Sequence, residues 1–315
     1  MSIGSCDHTI HGAHHHNAWD NALTPALEVE PGASIDFEVI DASGGQVDRH
    51  ASAEALVAID FARVNPVTGP VFVRGARPGD VLEVEVLEFA MSDWGWTAII
   101  PGFGLLADQF PEPWLKIWDL EPGAPRARFD DGIEIPVAPF PGTIGVAPPE
   151  AGPHSIVPPR AWGGNLDIKH LRAGTKLYLP VGVEGALFSV GDTHAAQGDG
   201  EVCGTAIESP MRIAVRLDVR RDLTLRQPAF ETFGSAPGDQ ASGGSFVTTG
   251  VSGDLLDAAR RATTAMIDHL GTTVGLAPAE AYALCSVAVD LRVHEVVDQP
   301  NWVVGAWLPR SVVAG

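Results

Sequence analysis

A cluster of polar residues in the middle of the chain has the composition of a metal site. Asp192 and His194 follow an apolar segment, residues 186–190, and lie two positions apart. On an extended backbone their side chains therefore point to the same side. A carboxylate and an imidazole together suit Zn²⁺ or a similar divalent cation. The same spacing also fits a tight turn whose carboxylates accept hydrogen bonds from backbone N–H groups, with His194 satisfied locally.

Two carboxylates follow this pair along the chain. Asp199 and Glu201 repeat the two-residue spacing in a glycine-rich stretch. Either can serve as a general base, provided that it reaches a water whose pKa a metal has lowered. Cys203 comes next, and a nucleophilic cysteine is the competing interpretation of this segment. The sequence contains no phosphate-binding loop and no serine nucleophile elbow.

A second polar segment, residues 163–170, lies upstream. Asn165, Asp167 and Lys169 alternate along it, so on a strand they would share one face. Asp167 then becomes a candidate for a third metal ligand, and Asn165 for a side chain that recognises an amide. A polar, solvated strand face explains the same pattern.

A histidine-rich segment near the N-terminus is a further candidate. His14 and His16 alternate onto one side of an extended backbone, and neutral imidazole is a common ligand of zinc. His16 is therefore a candidate fourth ligand. A surface cluster of histidines is the alternative.

The elements that would position these residues are mostly strands. Glycine (35 residues) and proline (25 residues) interrupt many short apolar runs, which is typical of a β-sandwich or barrel. Strands are predicted over residues 34–40, 71–73, 81–89, 176–180, 186–190, 212–218, 245–249, 286–296 and 302–308. A helix capped by Ser252 and ending at Gly271 is predicted late in the chain, with a second opening at Pro278.

The predicted fold is thus mainly β, with a β-sandwich or jelly-roll-like N-terminal portion and a C-terminal α+β portion. Residues 1–225 form the first portion and carry most of the site. Residues 226–315 form the second, packed intimately against the first. A tryptophan-rich stretch, residues 93–118, is predicted to be a pocket wall, a subunit contact or a segment packed on the core.

Composition restricts the partners and the location. Acidic residues outnumber basic ones 40 to 20, giving a formal charge of −20, which disfavours a nucleic-acid partner. No apolar run approaches the roughly 20 residues of a membrane-spanning helix, so no membrane partner is expected. The first sixteen residues lack the pattern of a secretory signal, and a cytoplasmic location is the expectation.

Several segments, taken in order over nearly the whole chain, resemble those of the acetamidase/formamidase family. The resemblance implies a divalent metal, a homodimer or larger homo-oligomer, and hydrolysis of a short amide to a carboxylic acid and ammonia. The matching segments are residues 16–21 with 25–32, 65–73 with 78–84, 95–106, 141–148, 163–169, 191–208 and 284–292.

The expected function is therefore metal-dependent hydrolysis of a short aliphatic amide such as acetamide or formamide. Zinc is the expected metal, with Ca²⁺ as an alternative at a second site, and Gln197 joins Asn165 as a candidate for hydrogen bonds to the substrate. A metal-dependent γ-lactam hydrolase and a non-catalytic β-sandwich binding module with a structural metal are the alternatives. The proposed residues are Asp192, His194, Asp167 and His16 for the metal, Glu201 and Asp199 for proton transfer, and Asn165 and Gln197 for the substrate.

Overall fold

The structure is a computed structural model that describes residues 3–234 and 243–313. Most of its regular elements are strands, with three short to medium helices. In chain order the strands are β1 (His8–Ile10), β2 (His15–His16), β3 (Ala18–Trp19), β4 (Leu27–Val29), β5 (Ser34–Val39), β6 (Val67–Val73), β7 (Val81–Met91), β8 (Trp94–Ile99), β9 (Trp114–Asp119), β10 (Arg126–Asp130), β11 (Ile133–Pro136), β12 (Phe140–Gly145), β13 (His154–Ser155), β14 (Gly163–Asn165), β15 (Lys176–Pro180), β16 (Phe188–His194), β17 (Met211–Arg220), β18 (Ala229–Glu231), β19 (Ser245–Ser252), β20 (Asp290–Glu295) and β21 (Trp302–Pro309). The helices are α1 (Leu255–Thr273), α2 (Pro278–Ala288) and α3 (Arg310–Val313), and a 3-10 helix covers Ala53–Ala58.

Two large sheets form a sandwich, which confirms the predicted mainly-β fold. One has nine strands in the order β1-β5-β17-β7-β15-β18-β19-β21-β20, and the other has six in the order β14-β12-β16-β6-β2, with β4 also paired to β6. Their facing side chains make the main core, in which Phe37 of β5 meets Phe188 of β16 edge to face at 5.8 Å. The nine-stranded sheet continues across residue 225, because β15 pairs with β18. The two predicted portions therefore share one sheet.

Helix α1 packs on the outer face of the larger sheet. Its buried residues, Ala258, Ala262, Met266 and Leu270, recur every four positions, as one face of a helix requires. Gly250 in β19 allows the close approach, because a Cβ there would lie 1.9 Å from the carbonyl oxygen of Ala258.

Several elements are longer than the sequence predicts: β6 begins at Val67 and not at residue 71, and α1 ends at Thr273 and not at Gly271. Three further differences concern the residues at which elements begin. Asp254, not Ser252, caps α1 by accepting a hydrogen bond from the backbone N–H of Asp257. Helix α2 opens at Pro278 as predicted, but it continues to Ala288, so the strand expected over 286–296 begins only at Asp290. Strand β16 begins at Phe188, two residues late, because Ala186 and Leu187 have positive φ angles of 60° and 56°.

His269 in α1 makes the stability of the fold sensitive to acid. Its ring stacks on Phe246 at 3.6 Å, and burial lowers its pKa from 6.5 to about 4. Between those two values the unfolded chain binds a proton that the folded chain does not, so stability falls as the pH falls through this range.

Replacing His269 by Phe keeps the stacking and removes the titration. Between about pH 7 and about pH 5 the free energy of unfolding of the native protein should fall by about 1 kcal/mol more than that of His269→Phe, a figure reduced for the partial exposure of the ring. Urea denaturation at the two pH values measures the difference. Equal losses in the two proteins would contradict the assignment.

Candidate active site

One buried polar cluster lies between the strands of the smaller sheet and the C-terminal segment that follows β20. The end of β16 carries Asp192 and His194 and pairs with β12, where Thr143 lies opposite Gly191. Glu208 is held beside this strand end by isolated bridges to Trp96 and His194. The buried polar residues of the cluster are Thr143, Asn165, Asp167, Asp192, His194, Glu201, Glu208, Glu295 and Asp298.

Three side-chain atoms converge at the centre of this cluster. Nε2 of His194 lies 3.2 Å from Oδ1 of Asp192 and 3.0 Å from Oε2 of Glu208. All three side chains are almost fully buried. One nitrogen and two carboxylate oxygens at this separation form a set that a divalent cation can bridge.

The hydrogen bonds of Gln197 determine the tautomer of His194. The side-chain nitrogen of Gln197 donates to the backbone carbonyl of Asp167 at 2.9 Å, and that carbonyl can only accept. The amide oxygen of Gln197 therefore faces Nδ1 of His194 at 3.0 Å, so Nδ1 carries the proton and donates. In the neutral ring this leaves the lone pair on Nε2, which faces the two carboxylates.

The remaining oxygens of the two carboxylates are also held by hydrogen bonds. Oδ2 of Asp192 accepts from the side-chain amide of Asn65 at 3.0 Å and from the hydroxyl of Thr143 at 3.1 Å. Oε1 of Glu208 accepts from the backbone N–H of Ala206 at 2.7 Å. Each potential ligand is thus anchored through its other polar atom, as in metal sites whose outer partners orient the ligands.

A second group of carboxyls lies on the other side of the imidazole. Nδ1 of His194 is 3.7 Å from Oδ1 of Asp167 and 4.0 Å from Oε1 of Glu201. Both oxygens of Asp167 are buried and receive no hydrogen bond from an N–H or hydroxyl of the described residues. Asp298 accepts from the side-chain amide of Asn165 at 2.7 Å, and its backbone N–H donates to Oε2 of Glu295 at 3.1 Å.

Burial disturbs the protonation of these groups strongly. Burial, partly opposed by the charge of His194, raises the pKa of Asp167 to about 6 and that of Glu208 to about 7. Burial and the charge of Asp167 raise the pKa of Glu201 well above its usual value. The charges of Glu208 and Asp192 outweigh burial and raise the pKa of His194. Carboxyls and an imidazole perturbed in this way are typical of a catalytic site.

The backbone at the site is itself unusual. Six non-glycine residues of the described chain have positive φ angles, and four of them belong to the cluster: Asn65, Asp167, Asp192 and Glu201, at 47° to 52°. Such conformations are costly for residues with a Cβ, and they concentrate at functional sites.

A small pocket opens onto the cluster. Its cavity measures about 40 Å³, and Asp192, His194, Glu201 and Glu208 form its polar end. The opposite walls are apolar and come partly from the tryptophan-rich stretch. The apolar lining residues are Ala42, Ile59, Phe61, Val64, Trp96, Ile100, Phe103 and Val157. Three residues of that stretch, Trp96, Ile100 and Phe103, therefore form part of the pocket wall, one of the roles predicted for it.

Comparison with known proteins identifies the family. The acetamidase/formamidase family profile matches residues 6–156 and 151–314. The chain belongs to the acetamidase/formamidase family. It is 28% identical to a formamidase from Methylophilus methylotrophus, over 94% of this chain and 89% of that protein. An acetamidase structure from Bacillus halodurans has a TM-score of 0.87 and 32% identity, covering 97% of this chain and 98% of that one.

A more distant structural neighbour is a γ-lactamase from Delftia acidovorans. Its TM-score is 0.68, with 29% identity over 95% of this chain and 89% of that one. The family membership makes this protein an amidase, a hydrolase of linear amides. No helix in the described part of this amidase is both long and apolar enough to cross a membrane.

The fold brings most of the predicted site residues of this amidase together. Asp192, His194, Asp167 and Glu201 meet in the cluster, and Asn165 and Gln197 hydrogen-bond within it. The other two, His16 and Asp199, lie elsewhere. Nδ1 of His16 donates to the carbonyl of Ala18 at 2.8 Å, and its Nε2 accepts from the hydroxyl of Ser189 at 2.9 Å. Asp199 forms an ion pair with Lys169 at 3.1 Å.

Asp199 and Glu201 separate because the chain between them is not extended. Gly200 and Glu201 have positive φ angles of 92° and 47°, so the segment turns instead of alternating. Glu201 is directed into the cluster, whereas the Asp199 side chain remains 41% exposed. The two-residue spacing therefore does not imply a shared face here.

Several residues of the site were not found by spacing arguments. Glu208 and Asn65 lie within segments that carry the family resemblance, and that was their only signal. Asp298 follows β20 in an irregular segment with no periodic pattern. The missed residues are Asn65, Gly142, Thr143, Glu208, Glu295 and Asp298.

Proposed function

We propose that this amidase hydrolyses a short linear amide with a divalent cation held by Asp192, His194 and Glu208. The observation that carries the proposal is the convergence of Oδ1, Nε2 and Oε2 of these residues at the polar end of a pocket. Three protein ligands with the remaining position open to a pocket suit a catalytic site, whereas structural zinc sites are closed by four.

The charge of the cluster fits a cation. Six carboxyls are buried around one imidazole, and the residues that line the pocket include no lysine or arginine. Burying several anions without a balancing charge is costly. Mixed nitrogen and oxygen ligands favour zinc over calcium or magnesium, which prefer oxygen ligands alone. The buried carboxyls are Asp167, Asp192, Glu201, Glu208, Glu295 and Asp298.

The cation, when bound, supplies a Lewis acid that polarises an amide carbonyl and acidifies water. Glu201 lines the pocket next to the proposed ligands and takes the role of the proton carrier. Its raised pKa suits a carboxyl that takes the proton of the attacking water at Oε1 and delivers the same proton to the leaving nitrogen, which departs as ammonia. Burial is the main cause of that raised pKa, and the negative charge of Asp167 beside it adds to the rise.

Asn165 and Gln197 are assigned to positioning. The side-chain oxygen of Asn165 accepts from Thr143 and its nitrogen donates to Asp298, while Gln197 joins His194 to the backbone of Asp167. Both amides are therefore engaged within the protein. His16 has no place in the proposed ligand set, because both of its ring nitrogens bond outside the cluster.

The size of the pocket favours the smallest amides. A cavity of about 40 Å³ holds roughly three or four water-sized groups, the size of formamide or acetamide. Phe61 and Phe103 meet edge to face at 5.8 Å in its apolar wall, and the two rings restrict the length of the substrate that the pocket can hold.

Metal removal tests the proposal. Protein stripped of metal by a chelator should stop releasing ammonia from formamide and acetamide, and stoichiometric Zn²⁺ should restore the activity. Metal analysis alongside the assay is the control. Full activity in verified metal-free protein would contradict the proposed metal dependence.

The same assay separates the substrate classes. The γ-lactamase neighbour is the observation that favours a cyclic substrate, and we expect the γ-lactam to be hydrolysed more slowly because it exceeds the pocket. Faster turnover of the γ-lactam than of acetamide would instead identify a cyclic amide as the preferred substrate.

Cys203 needs no part in either reaction, since its thiol contacts the carbonyl of Thr205 at 3.4 Å and does not line the pocket. The homo-oligomer and the cytoplasmic location stay predictions.

A further inference from the structure

A second group of metal-binding side chains lies outside the amide pocket. His170 follows β14, Asp199 lies in the loop after β16, and His294 is in β20. One ligand atom of each lies within 4.8 Å of the others. None of the three lines the amide pocket. We propose that His170, Asp199 and His294 form a second cation site that takes Zn²⁺ or another late first-row divalent cation.

The buried imidazole of His294, which lacks hydrogen-bond partners among the described residues, is the observation that points to a bound cation. Its side chain is 1% exposed, and neither of its ring nitrogens forms a hydrogen bond with a described residue. Buried polar atoms without a partner are rare in folded proteins because leaving them unsatisfied is costly. Its ring neighbours are aromatic, with Phe230 at 5.9 Å and Trp307 at 5.8 Å. A cation bound to one nitrogen would supply the missing partner.

The donor set selects the class of cation. Two imidazole nitrogens and one carboxylate oxygen suit zinc, cobalt, nickel or iron, and they do not suit calcium or magnesium. This donor set does not suit the Ca²⁺ expected at a second site, and that expectation stays a prediction. The Asp199 side chain is 41% exposed, so a cation and its remaining water ligands can reach the site from solvent.

Lys169 opposes cation binding. Its ammonium lies 3.1 Å from Oδ1 of Asp199 and already forms an ion pair with the carboxylate that would bind the cation. Lys169 has a flexible four-carbon side chain, so it can turn towards solvent when a cation enters. The competition lowers the affinity of the site, and removing the lysine should raise it.

The two sites share the same short chain segments. His170 lies three residues after Asp167, Asp199 two residues before Glu201, and His294 directly before Glu295. The segments are joined by a hydrogen bond from the N–H of Gly200 to the carbonyl of His294 at 2.8 Å. A cation bound to His170, Asp199 and His294 would therefore also restrain the nearby carboxyls of the amide site, Asp167, Glu201 and Glu295.

Cobalt titration of metal-free, full-length protein tests the proposal. Co²⁺ bound by nitrogen and oxygen ligands is detected by its visible absorption, and calorimetry gives the number of equivalents. His294→Leu should bind one equivalent fewer than the native protein. Asp192→Asn should retain that equivalent while losing the one at the amide pocket, so failure of the second site and failure of the proposed function are distinguishable. His269→Leu, a half-buried histidine outside the group, is the matched control and should bind as the native protein does.

Substitutions of the exposed Asp199 and the half-buried Lys169 keep the test decisive if His294→Leu does not fold. Asp199→Asn should weaken the second equivalent by roughly 10–100-fold. Lys169→Met should tighten it by about 10-fold, because a competing positive charge is removed. An unchanged stoichiometry and affinity in Asp199→Asn and Lys169→Met would overturn the proposal.

Discussion

Replacing Glu201 by Gln should lower kcat for acetamide by about 10²–10⁴-fold while the cation stays bound. The substitution keeps the size of the side chain and removes its ability to carry a proton. Glu201 lines the pocket, lies 4.0 Å from Nδ1 of His194, and is not one of the three proposed ligands. The loss should therefore fall on kcat, with metal content unchanged.

The design separates proton transfer from a general loss of structure. Ammonia release gives kcat and KM, metal analysis gives the cation content, and circular dichroism reports the fold. Glu184→Gln changes an exposed carboxylate and is the matched control, with native kcat expected. A Glu201→Gln enzyme with native kcat would remove Glu201 from the proton-carrying role.

Replacing Gly142 by Ala should cost the enzyme both its cation and at least about 10²-fold in activity. A Cβ at this position would lie 2.6 Å from Oδ1 of Asp167, 2.8 Å from Oδ2 of Asp192 and 2.8 Å from Cε1 of His194. All three side chains are buried, and hydrogen bonds hold Asp192 and His194 in place, so these two cannot move aside without breaking the alignment of the ligands. Overpacking of this kind also costs about 1–3 kcal/mol of stability.

Gly198→Ala is the matched control for this substitution. Gly198 lies in the loop after His194, and a Cβ there would meet nothing within 4 Å. Metal content and kcat of the two variants, measured on folded protein, decide the outcome. Native metal content and activity in Gly142→Ala would show that the site tolerates the methyl group and would contradict the described geometry.

Local patterns predicted the part of the site that depends on neighbouring residues. Asp192 and His194 lie on one strand, which stays paired to β12 through His194 although Asp192 has a positive φ angle of 52°, and their side chains meet as the spacing predicted. The mainly-β class followed equally from short apolar runs between glycines and prolines. The same reasoning did not hold for Asp199 and Glu201, because two positive φ angles turn the chain between them.

The sequence by itself determined the family, the fold class and the pairing of Asp192 with His194. Only the tertiary structure decided which side chains complete the set. Glu208 is joined to the strand end by bridges to Trp96 and His194, and Asn65 reaches Asp192 across 127 positions. The orientation of His194 likewise depends on Gln197 being bonded to a carbonyl 30 residues away. Periodicity records which way a side chain points along its own strand, whereas the register of the sheets and the turns between them decide which distant side chains it meets.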